Sequence, residues 1–238
     1  MNKLQHKWAL VTGASRGVGL RVAKALAQEG CQLIVHSRKL DNTREVVAKL
    51  SDMGTKVYPV AAELESTGEL ENLIQQVRDI SGNHLDILFN NAAIMTPWRE
   101  LFEPTIEDYA RSYLVNSIIP AKLCDAFLPA MLERDWGRIV NVTSGIADQP
   151  NLMAYSCSKA ALDRYVRDML PTLAGTNVLM NLLDPGWLRT DLGGPEADNH
   201  PDSVIPGALV PILCDKNEGS GHLYQAQDYA ENEPFARG

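Results

Sequence analysis

The chain has 238 residues and four cysteines, Cys31, Cys124, Cys157 and Cys214, which form no CxxC pair and no metal-ligand spacing with histidine. That length suits one large α/β domain whose core needs neither disulfides nor a structural metal, so the thiols are read as reduced and structural, Cys157 as a small buried side chain. A net charge of −8 with 22% charged residues argues against affinity for nucleic acid or anionic lipid; with apolar runs too short to span a bilayer and no signal peptide, a cytoplasmic protein is expected.

In chain order, short apolar runs at residues 8–12, 32–37, 56–60, 85–90, 137–143, 176–183 and 222–226 read as strands separated by segments of helical period. The alternation predicts an α/β fold, a doubly wound parallel sheet of about seven strands with helices on both faces, in a single domain over 1–238. The first strand runs into Thr12-Gly13-Ala14-Ser15-Arg16-Gly17-Val18-Gly19 and a helical run to Ala27. Glycines there let the backbone approach a pyrophosphate, whose charge is met by amide N–H groups at the helix N-terminus. The loop holds no Walker lysine, which disfavours a nucleoside triphosphatase. An acidic residue ending the second strand would bind ribose hydroxyls and repel a 2'-phosphate, but this chain has Ser37-Arg38. Arg38 with Arg16 is read as a grip on that phosphate, favouring NADP(H) over NAD(H). A charge-assisted hydrogen bond of ~1.5–3 kcal/mol corresponds to a preference of roughly tenfold or more. The alternative for either arginine is an ordinary solvated charge.

The third and fourth strands end at Glu63-Leu64 and Asn90-Asn91-Ala92-Ala93. The longest helical segment, 105–133, carries Leu114-Val115-Asn116-Ser117 and is expected to kink at Pro120, which lacks a backbone donor. The fifth strand ends Asn141-Val142-Thr143-Ser144, placing Ser144 where a doubly wound sheet presents its ligands. On the helix predicted over 152–173, Tyr155 and Lys159 leave the same face one turn apart, an ammonium beside a phenol. A phenol titrates near ~10, so acid/base work at neutral pH needs a shift of roughly three units, or about 4 kcal/mol. One positive charge supplies roughly one to three of these units. After the sixth strand come Asp184-Pro185-Gly186-Trp187-Leu188-Arg189-Thr190-Asp191, with the two aspartates read as turn and helix caps. Residues 191–203, rich in Gly, Pro, Asp and Asn, are expected to form a long mobile loop over the substrate. The histidines, His6, His36, His84, His200 and His222, are read as solvated or core residues and no metal is expected.

Together the TGxxxGxG loop, the Asn-Asn-Ala turn, Asn116, Ser144 and the Tyr-x-x-x-Lys pair resemble the short-chain dehydrogenase/reductase (SDR) family over nearly the whole chain. The stretch 187–196 and a last strand without Asp-Gly are most similar to its carbonyl-reductase and C-factor-like branch. The resemblance implies a Rossmann-type fold and a catalytic tetrad of Asn116, Ser144, Tyr155 and Lys159. In it Asn116 holds a water leading to the lysine, Ser144 and Tyr155 bind the substrate oxygen, and Lys159 binds the nicotinamide ribose. It implies cofactor contacts at Gly13, Ser15, Arg16, Gly17, Val18, Gly19, Ser37, Arg38, Glu63, Leu64, Asn91, Ala92, Ala93, Pro185, Gly186, Leu188 and Thr190. Glu63 and Ala93 depart from the family's aspartate and glycine, and the short Ser144–Tyr155 spacing reshapes one wall of the substrate site. Trp187 is read either as a substrate wall or as packing for the loop that follows it. The implied activity is hydride transfer between NADP(H) and a small carbonyl or alcohol, by a homodimer or homotetramer without nucleic-acid or membrane partners. The competing readings are a beta-ketoacyl carrier-protein reductase and, of another class, a cofactor-sensing or signalling protein on the same fold. A methyltransferase leaves Ser37-Arg38 and the tetrad unexplained.

Overall fold

In the computed structural model, which describes residues 4–230, one sheet of seven parallel strands runs in the order β3-β2-β1-β4-β5-β6-β7. These are β1 (Trp8–Val11), β2 (Gln32–Ser37), β3 (Val57–Ala61), β4 (Ile87–Asn90), β5 (Gly137–Val142), β6 (Val178–Asp184) and β7 (Leu223–Gln225). Each lies within two residues of the sequence reading at either end.

Successive strand residues point to opposite faces, and the buried side chains divide accordingly. Ala9, Val11, Leu33, Val35, Ile87 and Phe89 join α1 (Gly17–Gln28), α2 (Arg44–Asp52) and Ile212 of the short α7 (Val210–Leu213) in one cluster. Leu10, Ile34, Leu88, Ile139 and Met180 join α3 (Thr67–Ser81), α5 (Ile119–Glu133) and α6 (Met153–Leu173) in the other. Both faces are covered, which is why the strands read as apolar runs and not as alternating ones.

The segment expected to kink at Pro120 does change character there. The helix α4 (Ile106–Tyr113) passes through a π turn, Leu114–Ile118, into α5. Pro120 has no N–H to return to the carbonyl of Asn116 four residues back, and the Ile119 N–H reaches Leu114 instead. Within Ile106–Glu133 one 18-residue window has a mean hydropathy of 1.2, enough by length and composition alone to cross a membrane, and 56% of that window is buried inside the fold. Here its apolar side, including Ile119, Leu123, Phe127 and Met131, packs into the second core cluster.

Within residues 191–203 the base of the loop is tied back to the chain before it. Leu188 and Asn199 form a bridge, Arg189 Nη1 donates to the carbonyls of Ala197 and Asp198 at 2.9 and 2.8 Å, and Pro201–Val204 closes a 3-10 turn.

Candidate active site

The first crossover from β1 goes outward to β2 and β3, whereas the chain returns to β4 on the other side of β1. Such a reversal leaves a crevice at the carboxyl ends of the strands, and there a cleft of about 620 Å³ opens. Gly13 and Gly17, in its floor, take φ of +64° and +56°, values that strain any residue with a Cβ. A Cβ on Gly19 would stand 2.4 Å from the Gly13 carbonyl oxygen, so α1 starts this close to the loop only with glycine there. Asn91 Nδ2 donates to the carbonyls of Thr12 and Gly13 at 2.9 and 3.2 Å, while the Asn91 and Ala92 N–H groups donate to Thr12 Oγ1 at 2.9 and 3.0 Å. The Asn-Asn-Ala turn thus clamps the glycine loop to β4.

His36 holds the same loop from β2. Gly13 N–H donates to its Nδ1 at 3.3 Å, and its Nε2 lies 3.0 Å from the Ala62 carbonyl. An accepting Nδ1 leaves the proton on Nε2, and burial pushes the imidazole down to about 4, so the ring is neutral at physiological pH. In the sequence it is one of five scattered histidines, and nothing distinguishes it.

At the end of β2, Ser37 is buried and donates to the Lys39 carbonyl at 2.6 Å, while Arg38, just beyond it, is exposed in the cleft with no carboxylate in ion-pair range among the described residues. Arg16 also lines the cleft, where it pairs with Asp191 at 2.8 Å, and Asp191 serves as that partner instead of capping a helix. Ser15, Val18, Glu63 and Leu64 also line the cleft. So do Asn42, Glu65 and Arg111, which sequence reasoning did not single out because only the fold brings α4 over the end of β3.

At the opposite end, α6 sets Tyr155 and Lys159 below the surface, with 4% and 3% of their areas exposed. Lys159 Nζ donates to the Val142 carbonyl at 2.7 Å and lies 6.0 Å from the centre of the Tyr155 ring. Burial pushes the Tyr155 phenol up to about 12, the nearby Ser144 hydroxyl opposes the rise and the charge of Asp184 adds to it, while Ser144 Oγ accepts from Ile146 N–H at 3.2 Å. Burial brings the Lys159 ammonium down to about 8, opposed by Asp163 one turn along α6. The phenol is thereby held protonated at neutral pH.

Asn116 is fully buried in the π turn. Its Oδ1 accepts from Ile94 N–H at 2.9 Å, and its Nδ2 donates to the Ile94 carbonyl and Ser158 Oγ, both at 3.0 Å. The side chain is thus committed to Ile94 and Ser158, and Pro120, four residues on, has no N–H to give the Asn116 carbonyl.

Asp184 caps the turn after β6 by accepting from Gly186 N–H at 2.9 Å, as expected. Pro185, Thr190 and Ala93 line the cleft, whereas Gly19, Gly186 and Leu188 do not; Leu188 belongs to the first core cluster. Trp187 also lies outside the lining, and its indole N–H donates to the Gly193 carbonyl at 2.8 Å, the loop-packing alternative. Cys157 is half-buried, less enclosed than the sequence reading had it. Met95, Pro97 and Leu192 join the lining without having been marked in the sequence.

Residues 7–201 match the family model for short chain dehydrogenase. The chain is 34% identical over 191 residues to Uncharacterized oxidoreductase YvrD of Bacillus subtilis, covering 79% of this chain and 71% of that protein. It is 35% identical to Dehydrogenase/reductase SDR family member 4 of Bos taurus, covering 79% and 68%. Among solved structures, a putative short chain dehydrogenase from Pseudomonas syringae superposes with a TM-score of 0.86 at 27% identity, covering 94% and 96%. A 3-oxoacyl (acyl-carrier-protein) reductase from Agrobacterium tumefaciens with NADP bound gives 0.83 at 28%, covering 94% of each chain.

Proposed function

The chain belongs to the short-chain dehydrogenase family, an oxidoreductase family, and on that premise we propose that it passes hydride between NADP(H) and a small carbonyl or alcohol, with Tyr155 as the general acid and base. The observation that carries the reading is the buried Tyr155 phenol, four residues before the buried Lys159 on α6, at one end of a cleft that continues to the glycine loop.

The residues present fit a dinucleotide. Positive-φ glycines open a cradle at the N-terminus of α1, and Arg38 stands uncommitted where a 2'-phosphate would lie. When bound, the nicotinamide supplies the hydride in reduction and accepts it in oxidation. Ser144 Oγ and Tyr155 Oη hold the substrate oxygen, and Tyr155 gives its proton to that oxygen as charge develops on it. Lys159, buried and anchored on Val142 with its Nζ 6.0 Å from the Tyr155 ring centre, would bring positive charge to the phenol and a donor to the ribose. In carbonyl reduction the tyrosine acts as the acid, and in alcohol oxidation its phenolate acts as the base. We read the enzyme as nearest the carbonyl-reductase branch. The solved 3-oxoacyl (acyl-carrier-protein) reductase keeps a carrier-linked substrate as the second reading, and the net charge of −8 speaks against docking an acidic carrier.

The test is a fluorescence titration with NADPH and NADH on the protein and on Arg38→Ala. Tighter binding of NADPH, lost in the variant, is expected; equal affinities for the two cofactors would reject the NADP(H) assignment.

A further inference from the structure

Arg38 is useful to a 2'-phosphate only while no protein carboxylate claims it, yet the nearest acidic residues are close by. β2 and β3 are parallel neighbours with Ser37 opposite Ala61, so Arg38 and the segment Glu63-Leu64-Glu65 leave the same end of the sheet side by side. Both Arg38 and Glu65 line the cleft. Glu65 does not turn to Arg38. It takes a two-pronged bond from Arg111, across the cleft on α4, with Nε to Oε2 at 3.0 Å and Nη2 to Oε1 at 2.7 Å. A planar guanidinium forked onto a carboxylate in this way is the geometry that most strongly fixes both partners.

We propose that Arg111 is a cofactor-specificity residue that acts through Glu65: by holding that carboxylate it keeps Arg38 free for the 2'-phosphate. The inference rests on the NADP(H) reading above and deepens it. The other charges facing this corner are Glu63 on the β3 side and Glu107, one turn before Arg111 on α4; the fields of both reach Arg111. The field of Arg38 in turn reaches Glu65, so the two groups are close enough to compete. Without its fork, Glu65 has Arg38 as its remaining nearby cation, and the resulting pair opposes binding of an anionic phosphate at the same guanidinium.

The experiment is a set of fluorescence titrations with NADPH and NADH on the full chain, carried out on the parent protein, Arg38→Ala, Arg111→Met, Glu65→Gln and the Arg111→Met/Glu65→Gln double variant. Arg111→Met is expected to reduce the NADPH-over-NADH preference roughly fivefold, the scale of a partly exposed charge pair, with NADH affinity little changed. Glu65→Gln should keep the preference, and the double variant should regain it, since the competing anion is gone. A merely structural role for the fork would weaken both cofactors together and would not be rescued by Glu65→Gln. If the parent protein prefers NADPH through Arg38 but Arg111→Met leaves that preference intact, or the double variant behaves like Arg111→Met, this inference is overturned alone. If the parent shows no Arg38-dependent preference, the NADP(H) reading falls and takes it along.

Discussion

His36→Gln isolates the histidine that holds the glycine loop. The imidazole goes from 6.5 in the unfolded chain to about 4 in the fold because burial disfavours its charged form. Between those values the unfolded chain binds a proton that the folded chain refuses, so folding stability falls as pH is lowered through the window. At ~1.36 kcal/mol per unit the full gap is about 3 kcal/mol, of which about 2 kcal/mol is lost between pH 7.5 and pH 5. Glutamine can still accept from Gly13 N–H and donate toward Ala62, but it does not titrate. Urea unfolding of both proteins at pH 7.5 and 5.0 reads the difference directly. Carboxylates held low by arginine, such as Asp108 and Glu65, are common to both proteins and cancel in the comparison. The parent should lose about 2 kcal/mol more than His36→Gln on acidification. Equal losses in the two proteins would refute a neutral, buried, loop-holding imidazole.

Two further outcomes follow from the site. Gly19→Ala drives a methyl to within 2.4 Å of the Gly13 carbonyl oxygen, so the loop must shift; NADPH affinity should fall at least about tenfold in a titration, and unchanged affinity would contradict the close approach. Asp163→Asn removes the charge that supports the Lys159 ammonium, whose titration burial has already brought down to about 8. The alkaline limb of the pH–rate profile for carbonyl reduction should therefore move to lower pH, and a limb that stays in place would show that Asp163 does not act on Lys159.

The fold was legible because each strand is an apolar run flanked by turn chemistry, and a sheet buried on both faces leaves little else for such runs to do. Tyr155 and Lys159 were legible for a related reason: four residues on a helix fix a shared face whatever the surroundings. What the sequence hid were consequences of crossing chains. His36 acquires its role from Gly13 and Ala62, on two other strand ends. Arg16 looked as free as Arg38 until the loop after β6 brought Asp191 against it. The bond between Arg111 and Glu65 spans 46 residues and depends on where α4 comes to lie over β3. Asn116 was found by its motif, but its side chain is occupied by Ile94 and Ser158, and it sits in a π turn that the sequence showed only as a kink at Pro120.

The most direct test of the account is the rate of NADPH oxidation across a panel of small ketones and aldehydes, measured for the protein and for Tyr155→Phe at matched cofactor occupancy. The account predicts carbonyl-dependent oxidation by the protein and a loss of roughly 10²–10⁴-fold in Tyr155→Phe with NADPH binding retained, since the phenylalanine keeps the buried ring and lacks the transferable proton. Turnover that survives the loss of the phenolic hydroxyl would contradict it.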